Sequence, residues 1–272
     1  MKIALTVTPS QARFAPILLR GDMDSAFALA AELGYDGVEI HLRYPSDIDW
    51  AATRKLSVDY GLGVPTLGTG MAAGEDGLTF PDPDPEIRRR AVERVREHIA
   101  LAAHLDAAVT LGSLNGRLGP DPQQRPHRRA DAMACLEECC QAAAAAGVTM
   151  LLEPLNRYES DYLNTVDDAL GIIAKVGAPN LKLLADTFHM NIEEVDFAAS
   201  LRRAGSQLGH IHLVDSNRQA PGHGHLDIPG VLQALCDIDY QGYVSFEALP
   251  LPDPRQATED GIRTIRGMLK DL

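Results

Sequence analysis

Cysteine is scarce in this chain: there are 4 in 272 residues, at Cys135, Cys139, Cys140 and Cys236. Three fall in one alanine-rich helical stretch. Cys135 and Cys139 share a helix face, but nothing nearby completes a zinc set. The cysteines read as small core fillers in a reducing, cytoplasmic setting, not as a disulfide framework. No apolar run approaches the length of a membrane span. Met1–Val7 leads straight into the strand-like "KIALTV", so no secretory signal is expected. Positive charge is short as well, with 25 Lys and Arg against 38 Asp and Glu and a formal net charge of -13. That balance disfavours a nucleic-acid partner and favours a small molecule. The segment "TVTPSQARF" after the first strand holds no G-x-G-x-x-G, so an open dinucleotide-binding sheet lacks its fingerprint. No composition break or low-complexity linker divides the chain, and residues 1–272 read as one domain.

What the chain does have is alternation. Strand-like runs occur at Ile3–Val7, Gly37–Leu42, Val64–Gly68, Ala108–Gly112, Val148–Glu153, Leu181–Asp186, His210–Val214 and Tyr243–Glu247, each followed by a helical stretch. Gly34, Gly61, Gly147, Gly177 and Gly205 stand where helices should stop. Asp84 with Pro85, and Thr165 with Asp168, mark helix starts. In "EIRRRAVERVREHIALAAHL" the residues Ile87, Ala91, Val95, Ile99 and Ala102 form one apolar stripe. Arg88, Arg89, Glu93, Arg96 and Glu97 fall on the other faces, which predicts a solvated outer helix rather than a nucleic-acid patch. About eight βα units in this length predict an α/β fold, a closed (β/α)8 TIM barrel.

The chemistry of such a barrel sits at the C-terminal ends of its strands. "VTMLLE" ends on Glu153, a costly place for a carboxylate unless a positive partner meets it. The next three strands end on or near Asp186, His212 and Glu247, so four candidate metal ligands should converge at the barrel mouth. Three carboxylates that close call for a cation. With one imidazole they fit a divalent ion such as Mn²⁺, Mg²⁺ or Co²⁺, with Zn²⁺ also allowed. Glu159, His189 and Arg218, in the loops beyond these strands, are placed to touch substrate oxygens. His223 and His225 in "GHGHLD" could close over the site or hold a second ion, and Asp227 could cap the next helix. His41 reads as a rim residue.

The stretches "LEPLNRYE", "LADTFHMNIEE", "HLVDSNR" and "FEAL" resemble the ketose 3-epimerase family, typified by tagatose and psicose 3-epimerases, within the xylose isomerase-like barrels. The resemblance implies one divalent metal, usually manganese, on Glu153, Asp186, His212 and Glu247. It implies an acid/base pair in Glu153 and Glu247, and substrate contacts from Glu159, His189 and Arg218. It also implies a dimer or tetramer. "RGDM", "YPSDIDW", "GTG" at Gly68–Gly70, "DGL" at Asp76–Leu78 and "LPLP" are similar to the 5-keto-L-gluconate epimerases of inositol breakdown, a group acting on keto-sugar acids.

The expected reaction inverts the carbon beside a ketone. A metal polarises the carbonyl and holds the enediolate, while one glutamate removes a proton and the other returns it on the opposite face. For a keto-sugar acid, Arg218 is the first candidate to receive the carboxylate and Arg117 the second. An aldose–ketose isomerase or an inosose dehydratase-like lyase remains open on the same residues. More remote readings are a non-catalytic sugar-binding barrel and an endonuclease IV-like zinc nuclease; the latter lacks its histidines on the third and fourth strands.

Overall fold

The computed structural model describes residues 1–10 and 16–270. Residues 11–15, which include the "QARF" of the segment read above for a phosphate loop, and residues 271–272 lie outside the described residues. The strands are β1 (Lys2–Thr8), β2 (Leu19–Arg20), β3 (Gly37–His41), β4 (Thr66–Gly68), β5 (Ala108–Leu111), β6 (Met150–Leu152), β7 (Leu181–Asp186), β8 (Leu208–His212) and β9 (Tyr243–Phe246). All pair in parallel. Leaving aside the two-residue β2, eight strands pair in chain order, and β1 pairs with β9 to close the barrel. The helices are α1 (Met23–Leu33), α2 (Trp50–Tyr60), α3 (Gly70–Asp76), α4 (Pro85–Leu105), α5 (Arg125–Ala145), α6 (Val166–Val176), α7 (Thr187–Glu193), α8 (Phe197–Ala204), α9 (Ile228–Asp237) and α10 (Pro254–Met268). The expected TIM barrel is therefore the observed one.

Local chemistry sets the element ends. Asp84 caps α4 by accepting from the Glu86 N–H, with Pro85 in the first turn. Thr165 and Asp168 form the capping box of α6, and Asp227 accepts from the Gly230 N–H at the start of α9. Gly34 and Gly61 close α1 and α2 in the left-handed region, at φ 80° and 66°, where a β-carbon is penalised. Helix α5 is capped by Ala146, one residue before the expected Gly147. Several strands are shorter than their apolar runs. β6 stops at Leu152, yet the Glu153 N–H still donates to the Leu111 carbonyl at 3.0 Å. Pro154 has no N–H to continue the ladder.

Helix α4 buries Ala91, Val95, Ile99 and Ala102 as its stripe requires, and Arg89 and Arg96 pair with surface glutamates. Arg94 departs from the pattern: it is buried. Cys135, Cys139 and Cys140 are buried in α5, whereas Cys236 is exposed on α9 rather than filling the core. Burial pushes the Cys135 thiol up to about 11 and the Cys140 thiol up to about 12, so both stay protonated. Among the described residues no helix is long and apolar enough to cross a membrane.

Candidate metal and sugar site

Four adjacent strands bring one acid or imidazole each to the C-terminal rim. Asp186 and His212 are the last residues of β7 and β8, and they are register partners. Glu153 and Glu247 each lie one residue past β6 and β9. One ligand atom from each of the four lies within 4.8 Å of all the others. His212 Nδ1 stands 3.6 Å from Glu153 Oε1, 3.7 Å from Asp186 Oδ2 and 3.6 Å from Glu247 Oε2. Among the described residues that buried nitrogen has no hydrogen-bond partner, and Asp186 Oδ2 has none beyond its ion pair with Arg218. Ligands about 2.1 Å from a shared ion stand roughly 3.0–3.4 Å apart, so the three separations from His212 Nδ1 are only slightly expanded. The donors fit a divalent cation in number, type and spacing.

The charges agree with that fit. Burial raises the carboxyls of Glu153 and Glu247 above the ordinary range, against the pull of His212 and Arg218. Burial acts the same way on Asp186, but Arg218, His189 and His212 outweigh it and hold that carboxyl low. Arg218 supplies much of the balance. Its Nη2 lies 3.0 Å from Asp186 Oδ2 and donates to Glu247 Oε2, and its guanidinium stacks on Phe188 at 4.7 Å. Arg218 adopts a left-handed backbone, φ 60°, which costs a non-glycine residue roughly 1–2 kcal/mol.

A cavity of about 340 Å³ opens onto these groups and is also lined by Glu159, His189 and Arg218. The backbone N–H and Nδ2 of Asn156 both donate to His189 Nδ1, at 3.2 and 2.8 Å. That leaves Nε2 as the protonated nitrogen, pointing towards Glu153 and Asp186 at 4.0 and 3.8 Å. Burial holds the His189 pKa below its usual value, so the ring is a neutral donor. Glu159 is half-exposed at the cavity and accepts from Asn156 Nδ2 at 2.8 Å.

Three other candidates do not reach the cavity. Arg117 donates to the Tyr158 carbonyl at the surface, because its loop carries it outward. His223 pairs with Asp260 at 3.3 Å, and His225 lines a separate hollow with Asp196 and Asp227. Asp227 itself is spent on the α9 cap.

Sequence reading missed a level of polar residues beneath the ligands. Glu39, fully buried on β3, accepts at Oε1 from His212 Nε2 at 3.0 Å and from His41 Nε2 at 2.9 Å. Its Oε2 accepts from His210 Nε2 at 3.1 Å, and that nitrogen also bonds Ser245 Oγ at 2.8 Å. Burial opposes ionisation of Glu39, but the three imidazoles overcome it and keep the carboxyl well below the ordinary range. With Nε2–H given to Glu39, His212 turns its Nδ1 lone pair towards the carboxylates. His41, expected at the rim, is thus part of this buried network. The available signal was the two-residue alternation in "GVEIH" and "HIH", which aims polar side chains into the barrel.

The profile of the xylose isomerase-like TIM barrel matches residues 27–268. The chain belongs to that family. Among xylose isomerase-like relatives, it is 38% identical over 251 residues to the 3-dehydro-D-guloside 4-epimerase of Escherichia coli (strain K12), covering 88% of this chain and 92% of the relative. It is 35% identical over 234 residues to the L-ribulose 3-epimerase of Methylomonas sp. (strain DH-1), covering 85% and 80%. The crystal structure of a D-allulose 3-epimerase from Methylomonas sp. superposes with a TM-score of 0.83 at 28% identity, covering 98% of each chain. These three relatives are carbohydrate epimerases.

Proposed function

We propose that this protein is a metal-dependent epimerase that inverts the carbon beside the carbonyl of a keto-sugar. The observation that carries the reading is the convergence of Glu153, Asp186, His212 and Glu247 around the unpartnered His212 Nδ1. Glu153, Asp186, His212 and Glu247 would hold a divalent ion there, which would supply Lewis acidity. Mn²⁺ suits three carboxylates and one imidazole. Glu153 and Glu247 come from β6 and β9, with two strands between them, and flank the reacting carbon. One removes its proton; the other delivers a proton to the opposite face of the enediolate. His189 Nε2–H and Glu159 bind sugar hydroxyls, and Arg218 fixes Glu247. The free, buried thiols support a reducing, cytoplasmic setting.

The test is exchange with solvent. Metal-loaded protein incubated in D₂O with L-ribulose or D-psicose is expected to yield the epimer carrying deuterium at the inverted carbon. Loss of water, or an aldose product without an epimer, would instead assign a lyase or an aldose–ketose isomerase to these residues.

Glu39→Gln offers a second check. The amide has one oxygen where the carboxylate has two and no charge to match three imidazole donors. Its loss is expected to weaken metal affinity about 10–100-fold, as loss of such supporting contacts does elsewhere. Competition with a fluorescent chelator measures it, and unchanged affinity would show that Glu39 does not orient His212.

A further inference from the structure

Helix α3 forms a wall of the cavity through Gly70, Met71, Gly74 and Glu75. Met71 and Ala72 are buried, but the helix has little local support at its start. It is seven residues long, includes two glycines and has no side-chain hydrogen bond at its N-cap. Its last residue supplies the anchor. Asp76 Oδ1 accepts from Arg43 Nε and Nη2 at 3.1 and 2.5 Å, and Oδ2 accepts from Arg94 Nη1 at 2.9 Å. Arg94 is the buried arginine of α4. Its Nη1 also donates to the Arg43 carbonyl at 2.6 Å, and its guanidinium lies 4.0 Å from the Tyr44 ring centroid. One carboxylate therefore ties together the loop after β3, the end of α3 and the middle of α4. Neither Asp76 nor Arg94 is more than 8% exposed at its side chain, so solvent screens their pair weakly. Removing the acid leaves buried Arg94 with the exposed Glu97, 3.4 Å from its Nε, in place of a buried counter-ion.

Position gives the anchor a consequence. Helix α3 follows β4, across the barrel mouth from β6 to β9, which carry the metal ligands. One cavity is lined by Glu153 and Glu247 and by α3, so a sugar whose reacting carbon lay against those glutamates would reach α3 with its remaining carbons. We propose that Asp76 is a positioning residue, which through Arg43 and Arg94 holds α3 as the wall that reads the part of the substrate remote from the reacting carbon. This rests on the keto-sugar reading above.

Asp76→Asn and the milder Arg43→Gln are to be compared with the parent enzyme for metal content and for kcat and KM on a five-carbon and a six-carbon ketose. Metal content and kcat are expected to stay near the parent. KM is expected to rise roughly tenfold for the six-carbon ketose, within the ~10²-fold that a 1 Å misplacement can cost, and less for the shorter one. Arg43→Lys, which keeps the charge, should recover part of the loss. Hydrogen exchange provides a readout that needs no substrate. The Gly77 and Leu78 amides, which donate to the Ala73 and Ala72 carbonyls at 3.0 and 3.1 Å, should exchange faster in Asp76→Asn. Unchanged exchange there overturns the anchor. Faster exchange with unaltered KM, or a fall in kcat and metal content together, overturns its role in reading substrate. Absence of keto-sugar turnover in the parent enzyme overturns the functional reading itself, whatever the exchange shows.

Discussion

Glu153→Gln and Glu247→Gln are each expected to lower epimerisation by about 10²–10⁴-fold, the range that a positioned acid or base contributes. Glutamine keeps the side-chain length and one oxygen for the ion but cannot accept a proton. The more telling result concerns isotope. If each glutamate serves one face of the carbon, each variant should still exchange deuterium into one epimer while failing to interconvert the two. The two variants should label opposite epimers. Mass spectrometry of both epimers after incubation in D₂O reads this directly, with metal content measured alongside. Near-normal turnover in either variant would remove that glutamate from the proton path.

Stripping the ion should be as damaging to turnover and should also show in stability. Three carboxylates converge here, with Arg218 as the arginine among them. Chelation is expected to abolish epimerisation, and Mn²⁺ should restore it. An ion that binds the folded chain alone and is present at 100 times its Kd adds about 2.7 kcal/mol. For a chain of this size that corresponds to roughly 5–10 °C in Tm. Activity and Tm that are both indifferent to a chelator would remove the ion from the mechanism and from the fold.

The four strand-end residues were legible because barrel topology turns a one-dimensional list of strand ends into a ring. Each of Glu153, Asp186, His212 and Glu247 lies at or near the end of an apolar run, and once eight runs are counted their meeting is a matter of geometry. Glu159, His189 and Arg218 were singled out by their spacing beyond the strand ends, and all three line the cavity. What stayed hidden depends on side-chain direction over long separations. Glu39 and His212 are 173 positions apart, and nothing local says that they touch. Asp76 and Arg94 are 18 positions apart, and a helix-face pattern cannot tell that a neighbouring loop covers one arginine. Arg117 failed for the complementary reason: its place in a strand-end loop gave no indication of which way the loop turns.

The buried network under the ion also constrains how this protein can be made more heat-tolerant. Barrels of this class commonly fill their interior layers with branched aliphatic side chains. Here that level holds Glu39, His41, His210 and Ser245. Replacing buried ionic groups with well-packed apolar ones is often neutral or stabilising, by about 1–4 kcal/mol. In this barrel the same exchange would leave His212 free to turn. Selection for melting temperature without added metal would thus favour a sturdier barrel whose ligand set is no longer oriented. A screen for robust variants should therefore leave the interior untouched and draw its substitutions from the outer ring of helices.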